Sequence, residues 1–178
     1  MRTIVLPLLF AIPAFADCPP VADRTDDMDA LIAEARGADT PAAGQEAGRK
    51  MWAIWTEAPD EIAQEMLDRG VSSLGSYDFL RAIEAFDDLT GYCPDYAEGY
   101  NQRAFAHFLR EDYPAALIDI EHALDRNPRH VGALSGKALT LFRMGREEDG
   151  QAALRAALDL NPWLNERFLL KETPGTDL

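Results

Sequence analysis

Three histidines, two cysteines and a surplus of carboxylates are the residues of this chain that could do chemistry. Their spacing does not support it. His107, His122 and His130 contain no His-Glu-x-x-His, and neither His122 nor His130 has a second His or Cys one helical turn away, so no metal-ligand set forms. Gly132–Lys137 (GALSGK) superficially resembles a phosphate-binding loop. Its glycines are one residue too close, Ala138 stands where Ser or Thr would hold a magnesium ion, and no strand-like run precedes it. No Gly-x-Ser-x-Gly occurs. Glu147-Glu148-Asp149 reads as the acidic first turn of a helix, where the helix dipole favours negative charge. The sequence therefore names no catalytic group, calls for no cofactor and points away from an enzyme.

The cysteines carry the clearest chemical expectation. Cys18 and Cys93 are the two in the chain, and no Cys-x-x-Cys suggests redox catalysis. Outside a reducing cytosol such a pair forms a disulfide, and closing so long a loop contributes about 4 kcal/mol on the chain-entropy model. Inside one, both remain free thiols. Met1–Ala16 bears on the choice. Arg2 gives a positive start, Ile4–Phe15 is apolar, and Ala14-Phe15-Ala16 is a small-x-small cleavage site before Asp17. About a dozen apolar residues are too few for a membrane span. The reading is a signal peptide over 1–16 and a periplasmic or secreted protein. Asp17 is not the small residue that a lipid-modified cysteine at position 18 would need before it.

Charge excludes further classes. The chain has 17 Lys and Arg against 31 Asp and Glu, a net −14, and losing Arg2 with the leader makes it −15. No stretch concentrates basic residues, so neither nucleic acid nor an anionic lipid surface is an expected partner. The acidic balance keeps an exported protein soluble.

The elements that would position a site repeat. Ala97–His130 laid over Val131–Leu164 matches at one fixed shift: Ala104 falls on Ala138, Ala123 on Ala157, Leu124 on Leu158, Asn127 on Asn161 and Pro128 on Pro162. The same shift applied again pairs Ala82 with Ala116, Phe86 with Ile120 and Pro94 with Pro128. Within one copy, Tyr100, Ala104, Phe105, Phe108 and Leu109 recur at helical spacing. Asp112 and Pro114 then mark a helix start, and Ala116, Leu117, Ile120, Ala123 and Leu124 form a second stripe ended by Asn127-Pro128. A fixed period of this length is a stacked helical-hairpin array, in which about three units are needed for stability.

These residues resemble the tetratricopeptide repeat family. Tyr100, Ala104, Ala116, Ile120, Ala123 and Pro128 fill its pattern, as do Leu134, Ala138, Gly150, Leu154, Ala157 and Pro162. Met66, Gly70, Ala82, Phe86, Leu89 and Pro94 fill it less well, Leu89 standing where a small residue is usual. The likeness covers roughly 100 residues and implies an all-α, right-handed solenoid. It implies three repeats over about 63–96, 97–130 and 131–164, within 59–162. It also implies a concave face lined by the first helix of each repeat. That maps a partner-binding groove onto Val71 and Leu74, then Asn101, Phe105 and Phe108, then Ser135, Leu139 and Phe142, with a basic ladder of Arg69, Arg103 and Lys137 beside it. His107 takes the place of a packing aromatic. The Lys, Asn and Arg set with which such domains grip chaperone tails is replaced here by Leu67, Val71, Gln102, Gly132 and Gly136.

Around the array, residues 17–58 read as an arm and a helical hairpin that caps the N-terminal end. Met28, Leu31, Ile32 and Ala35 stripe its first helix; Ala47, Met51, Ile54, Trp55 and Ala58 stripe its second, which opens at Thr40-Pro41. Trp52 and Trp55 mark either a surface or packing. Residues 163–178 read as a short helix covering the last repeat with Trp163, Leu164, Phe168 and Leu169, then a tail. The expected work is protein–protein interaction, as a scaffold or assembly factor holding a peptide in the groove. Two other readings stay open: an enzyme or ligand binder using a pocket between the N-terminal hairpin and the groove, and a permanent accessory subunit with a large apolar patch.

Overall fold

The computed structural model describes residues 17–171; the expected leader over 1–16 and the tail beyond 171 lie outside the described residues. Among the described residues eight α-helices follow one another: α1 Thr25–Arg36, α2 Pro41–Trp55, α3 Glu61–Gly75, α4 Phe79–Tyr92, α5 Ala97–Leu109, α6 Tyr113–Arg126, α7 Val131–Arg143 and α8 Glu147–Leu160. A 3-10 turn, Asn165–Leu169, closes the described chain. Side-chain caps fix several starts. Thr40, Asp60, Asp78 and Asp112 each accept the backbone N–H three residues on, satisfying one of the orphan donors of a helix N-terminus.

Helices α3–α8 form three antiparallel hairpins stacked side by side. Adjacent first helices touch one another, α3 with α5 and α5 with α7, so these make the inner layer and α4, α6 and α8 the outer one. Close approach depends on small residues. Ala82, Ala116, Ala123, Ala138 and Ala157 are buried. Where glycine replaces alanine, a ring fills the space: a Cβ on Gly70 would collide with the Phe86 ring, and one on Gly150 would lie 2.5 Å from that of Phe142. Phe86 is fully buried there, a contribution of about 2–3 kcal/mol.

The array begins at α3 because its outward face is polar. Glu65, Asp68, Arg69 and Ser72 are exposed on it. The residues one repeat on, Gly99, Gln102, Arg103 and Ala106, are small or covered, and Gly99 lies against Leu89 and Thr90 of α4. Terminal units of such arrays need a polar outer face, and α3 supplies its own.

The N-terminal hairpin consequently lies elsewhere than on α3. Met28, Ile32, Ala35, Ala47, Met51 and Trp55 form one buried cluster with Val131, joined by Leu160 and Leu164 of the third repeat. Helix α2 runs along the corners where one repeat passes into the next. Near its start, a Cβ on Gly44 would strike the Trp163 side chain, and Gly48 lies beside Asn161. At its end, Trp55 stacks on His130 with centroids 4.1 Å apart, and the Trp55 carbonyl accepts the Tyr96 hydroxyl at 2.6 Å. Tyr96, His130 and Leu164 are one repeat position taken three times. Arg36 bonds the Asp159 carbonyl and Arg129 the Asp29 carboxylate, so the hairpin is strapped at both ends. Ahead of it, Cys18 is disulfide-bonded to Cys93, with Cα atoms 5.2 Å apart.

At the other terminus, Trp163 packs against Gly44 of α2 and Leu164 joins the N-terminal hairpin's cluster, while Phe168 is 79% exposed. The last segment is too short for an α-helix and is held by its backbone: Gln151 donates to the Leu169 carbonyl and accepts from the Lys171 N–H.

The turn inside each repeat hairpin carries one left-handed residue. Gly75 ends α3, and the left-handed residue is Tyr77 (φ 60°), followed at the same repeat position by Glu111 (φ 63°) and Gly145 (φ 73°). Only the third copy carries the residue this conformation favours. Gly145→Ala, whose Cβ meets nothing within 4 Å, should therefore cost about 1 kcal/mol through the backbone alone. Glu111→Gly should be neutral or stabilising by up to about 1 kcal/mol. Urea midpoints of the two variants check both signs.

Candidate interaction surface

The residues mapped to the groove separate into two sets. Val71 and Phe105, one repeat apart, are exposed at 44% and 49%, and Leu139 continues their line half-buried. Leu74 and Phe108 are half-buried; Phe108 meets the Tyr113 ring edge-on, and the Arg143 guanidinium stands 5.9 Å from its centroid. The remaining members are engaged inside the protein. Phe142 is half-buried, its ring lying over Gly150 and packed against the buried cluster of Leu141, Ala153 and Leu154. Ser135 is buried, and Asn101 donates to Glu98 at 3.0 Å. The stripe legible from the repeat period is thus open chiefly at Val71 and Phe105.

The basic ladder turns toward the outer layer. Arg103 pairs with Asp119 at 2.6 Å and Asp87 at 2.6 Å, and donates to the Thr90 hydroxyl at 2.8 Å. The Asp119 hydrogen bonds push its already high pKa further up. Arg69 pairs with Asp88 at 2.9 Å, and Lys137 lies 3.7 Å from Glu121. All three are matched by carboxylates of second helices, which is why the ladder does not present free charge to a ligand. His107 shares this seam, 3.9 Å from Asp119, half-buried as its packing position implies.

The sequence reading missed a second assembly, at the strapped corner. His130 and Glu98 are both fully buried. His130 caps α7, its Nδ1 accepting the Ala133 N–H at 3.2 Å, so its Nε2 is the nitrogen that donates to Glu98, 2.8 Å away. Glu98 also accepts from Asn101 and Gln102. Trp55 covers the imidazole, and burial pushes the neighbouring Tyr96 phenol well above its usual range. His130 and Glu98 stand on different repeats, so no helical spacing reveals the pair. The signal was the repeat itself: each residue opens a first helix, and such openings adjoin in a stack. Beside this corner lies a cavity of about 490 Å3 between the N-terminal arm, the end of α2 and the repeat corners. Among the described residues no three His, Cys, Asp or Glu cluster as metal ligands, and no helix is long and apolar enough to cross a membrane.

Burial should separate two rungs of the ladder. Arg103→Met strands Asp119, whose side chain is 6% exposed, and should cost about 3 kcal/mol. Arg69→Met breaks a pair whose partners are each 57% exposed and should cost under about 1 kcal/mol. Equal losses in urea denaturation would contradict the seam described here.

No protein-family model matches the chain. Over 81 residues, 46% of its length, it is 40% identical to a TPR repeat-containing protein of Rhizobium etli. The match spans 40% of that protein, and the chain spans less than half the length of the curated relatives it matches. Among solved structures, the first TPR of Spaghetti (RPAP3) bound to the HSP90 peptide SRMEEVD superposes with a TM-score of 0.59 at 20% identity, covering 60% of this chain and 85% of that one. MamA from Desulfovibrio magneticus RS-1, residues 41 to the end, gives a TM-score of 0.53 at 19% identity, covering 80% and 78%. The fixed repeat period, the two-layered hairpin stack and these likenesses together make the chain an all-α helical-repeat solenoid similar in sequence and fold to tetratricopeptide-repeat proteins.

Proposed function

We propose that this chain is an exported interaction module, a scaffold or assembly factor that holds a peptide segment of another protein on the inner face of α3, α5 and α7 and does no chemistry itself. The observation that carries the reading is the exposed line of Val71 and Phe105, repeated in register, with no element over it among the described residues. Large apolar side chains left open on a rigid surface are where binding energy concentrates, aromatic ones above all. The complex with an Hsp90 peptide found among the similar structures supports the mode of binding, a peptide against stacked hairpins. It does not support the same ligand. The chain has Leu67, Val71, Gln102, Gly132 and Gly136 where a carboxylate clamp would stand, Leu67 is buried, and Gln102 is bonded to Glu98. With a net charge of −14 and its ladder cations paired, an apolar or basic segment suits the face better than an acidic tail.

Placement outside the cytosol rests on Arg2, the apolar run and Ala14-Phe15-Ala16, together with the paired cysteines. Mass spectrometry of the protein from its native host should then find Asp17 at the N-terminus, and thiol labelling of the unreduced, denatured chain should find no free sulfhydryl. Retained Met1 with two labelled thiols would overturn the compartment. For the groove, Val71→Glu combined with Phe105→Glu should abolish capture of the physiological partner while the helical circular dichroism stays unchanged. Because both side chains are exposed, the melting temperature should move little. A folded double variant that captures the same partner with unaltered affinity would remove the groove from consideration.

A further inference from the structure

The exposed line of Val71 and Phe105 crosses the array from α3 toward α7, with Leu139 next on it. A segment held on this line leaves the molecule at one end over the outer edge of α3. Glu61, Glu65 and Asp68 stand there at i, i+4 and i+7, on one stripe of the helix, and all are exposed. Asp68 lies one turn before Val71, so the stripe borders the apolar line. The helix dipole favours Glu61, in the first turn, but not the two carboxylates that follow. Asp68 accepts the Gln64 amide at 3.0 Å, and none of the three has a cationic partner among the described residues. Like charges one turn apart repel each other.

The surrounding cations are already taken. Helices α3 and α4 carry one each: Arg69 pairs with Asp88 at 2.9 Å, and Arg81 with Asp78 at 3.4 Å. Arg103 of α5 is held by Asp87 and Asp119. In and before the N-terminal hairpin, Arg24 pairs with Glu57, Arg49 with Glu46 and Lys50 with Glu34, while Arg36 bonds the Asp159 carbonyl. The opposite edge of the line has the other sign. Arg143 follows Leu139 by one turn of α7, is exposed, stands over the Phe108 ring and has no carboxylate partner among the described residues. Arg110 and Glu111, neighbours at the turn after α5, offset one another.

On the reading that the inner face holds a peptide segment of another protein, we infer that this segment is basic as well as apolar and lies in one orientation. Its Lys or Arg residues sit over Glu65 and Asp68 at the α3 edge, its apolar residues sit on Val71 and Phe105, and no cation of the segment falls beside Arg143. The apolar line supplies the hold. The carboxylates supply the selection, because exposed charges discriminate between partners more than they bind them. The end of an array needs a polar face, which charges of either sign provide. Unmatched carboxylates of one sign, bordering an apolar line, go beyond that need.

The test uses the mature, disulfide-bonded chain labelled with nitrogen-15. Packed helices lie about 9 Å apart and an extended chain rises about 3.3 Å per residue, so apolar anchors three residues apart match the line. The probes are acetyl-Arg-Arg-Ala-Leu-Ala-Ala-Phe-Ala-Ala-Leu-amide and the same residues in reverse order, which cover both chain directions. Versions with Gln-Gln or Glu-Glu in place of Arg-Arg are the controls. At least one Arg-Arg probe should shift the Val71 and Phe105 amide resonances with a Kd below about 1 mM; its Gln-Gln version should bind about fivefold more weakly, and its Glu-Glu version more weakly still. Glu65→Gln with Asp68→Asn, both at exposed positions, should lower the Arg-Arg affinity to that of Gln-Gln and leave Gln-Gln unchanged. Added salt should narrow the same gap. Val71→Ser with Phe105→Ser should abolish binding of every version. Equal or tighter binding of Gln-Gln or Glu-Glu, or an Arg-Arg advantage that survives loss of the two carboxylates, would overturn the inference and leave the groove standing. No shift of either amide by any probe at about 5 mM, or Arg-Arg binding retained in the double serine variant, would overturn it together with the groove.

Discussion

A helical hairpin can bury one face within itself and must find a neighbour for the other. Everything in this chain follows from meeting that demand three times with only six helices. The seams close because small residues stand where helices cross, and where one side of a seam shrinks to glycine the other side grows to phenylalanine, as at Gly70 with Phe86 and Gly150 with Phe142. Interiors tolerate neither voids nor overlap, so each such pair fixes the distance between two helices.

The two ends meet the demand differently. At the start, α3 turns Glu65, Asp68, Arg69 and Ser72 outward and needs no cover. At the far end, α8 is apolar near Leu160, and the cover comes from the opposite terminus of the chain. The hairpin α1–α2 travels back along the corners, resting on Leu164, then Val131 and His130, then Tyr96. Because these positions recur once in every repeat, they present an evenly spaced row, and one straight helix can touch all of them. The disulfide at Cys93 anchors the arm at the near end of the same row. A structure closed in this way has its corner occupied and its inner face open, which separates the exposed line of Val71 and Phe105 from the cavity beside Trp55.

Polar groups inside the stack follow the same economy of position. Arg103 with Asp119, and His130 with Glu98, bridge neighbouring helices where a mismatch would leave a charge stranded. Glu98 has three donors around it and His130 has a partner on each nitrogen, so both are satisfied although buried. Three buried side-chain atoms lack a hydrogen-bond partner among the described residues: the Trp55 indole nitrogen, His107 Nδ1 and the Thr140 hydroxyl.

The amino-acid sequence by itself determined the period, the hairpins and the ends of most helices. Those features rest on local signals: apolar spacing, Asp112 and Pro114 at a helix start, and the prolines Pro94, Pro128 and Pro162 that close successive repeats. It also paired Cys18 with Cys93, since two cysteines allow one intramolecular bond. Which face each side chain served was decided by the tertiary structure. Phe105 and Phe142 belong to the same helical stripe in sequence, yet one is open and the other fills a notch, because Gly150 lies across from Phe142. Arg69, Arg103 and Lys137 repeat perfectly, yet their charges turn to carboxylates on second helices that no periodicity within a single helix reveals. The hairpin α1–α2 has a readable apolar face, but its place was set by what was left uncovered: a polar α3 at one end and an apolar corner row at the other. Periodicity records that a face must be buried; only the packed molecule records against what.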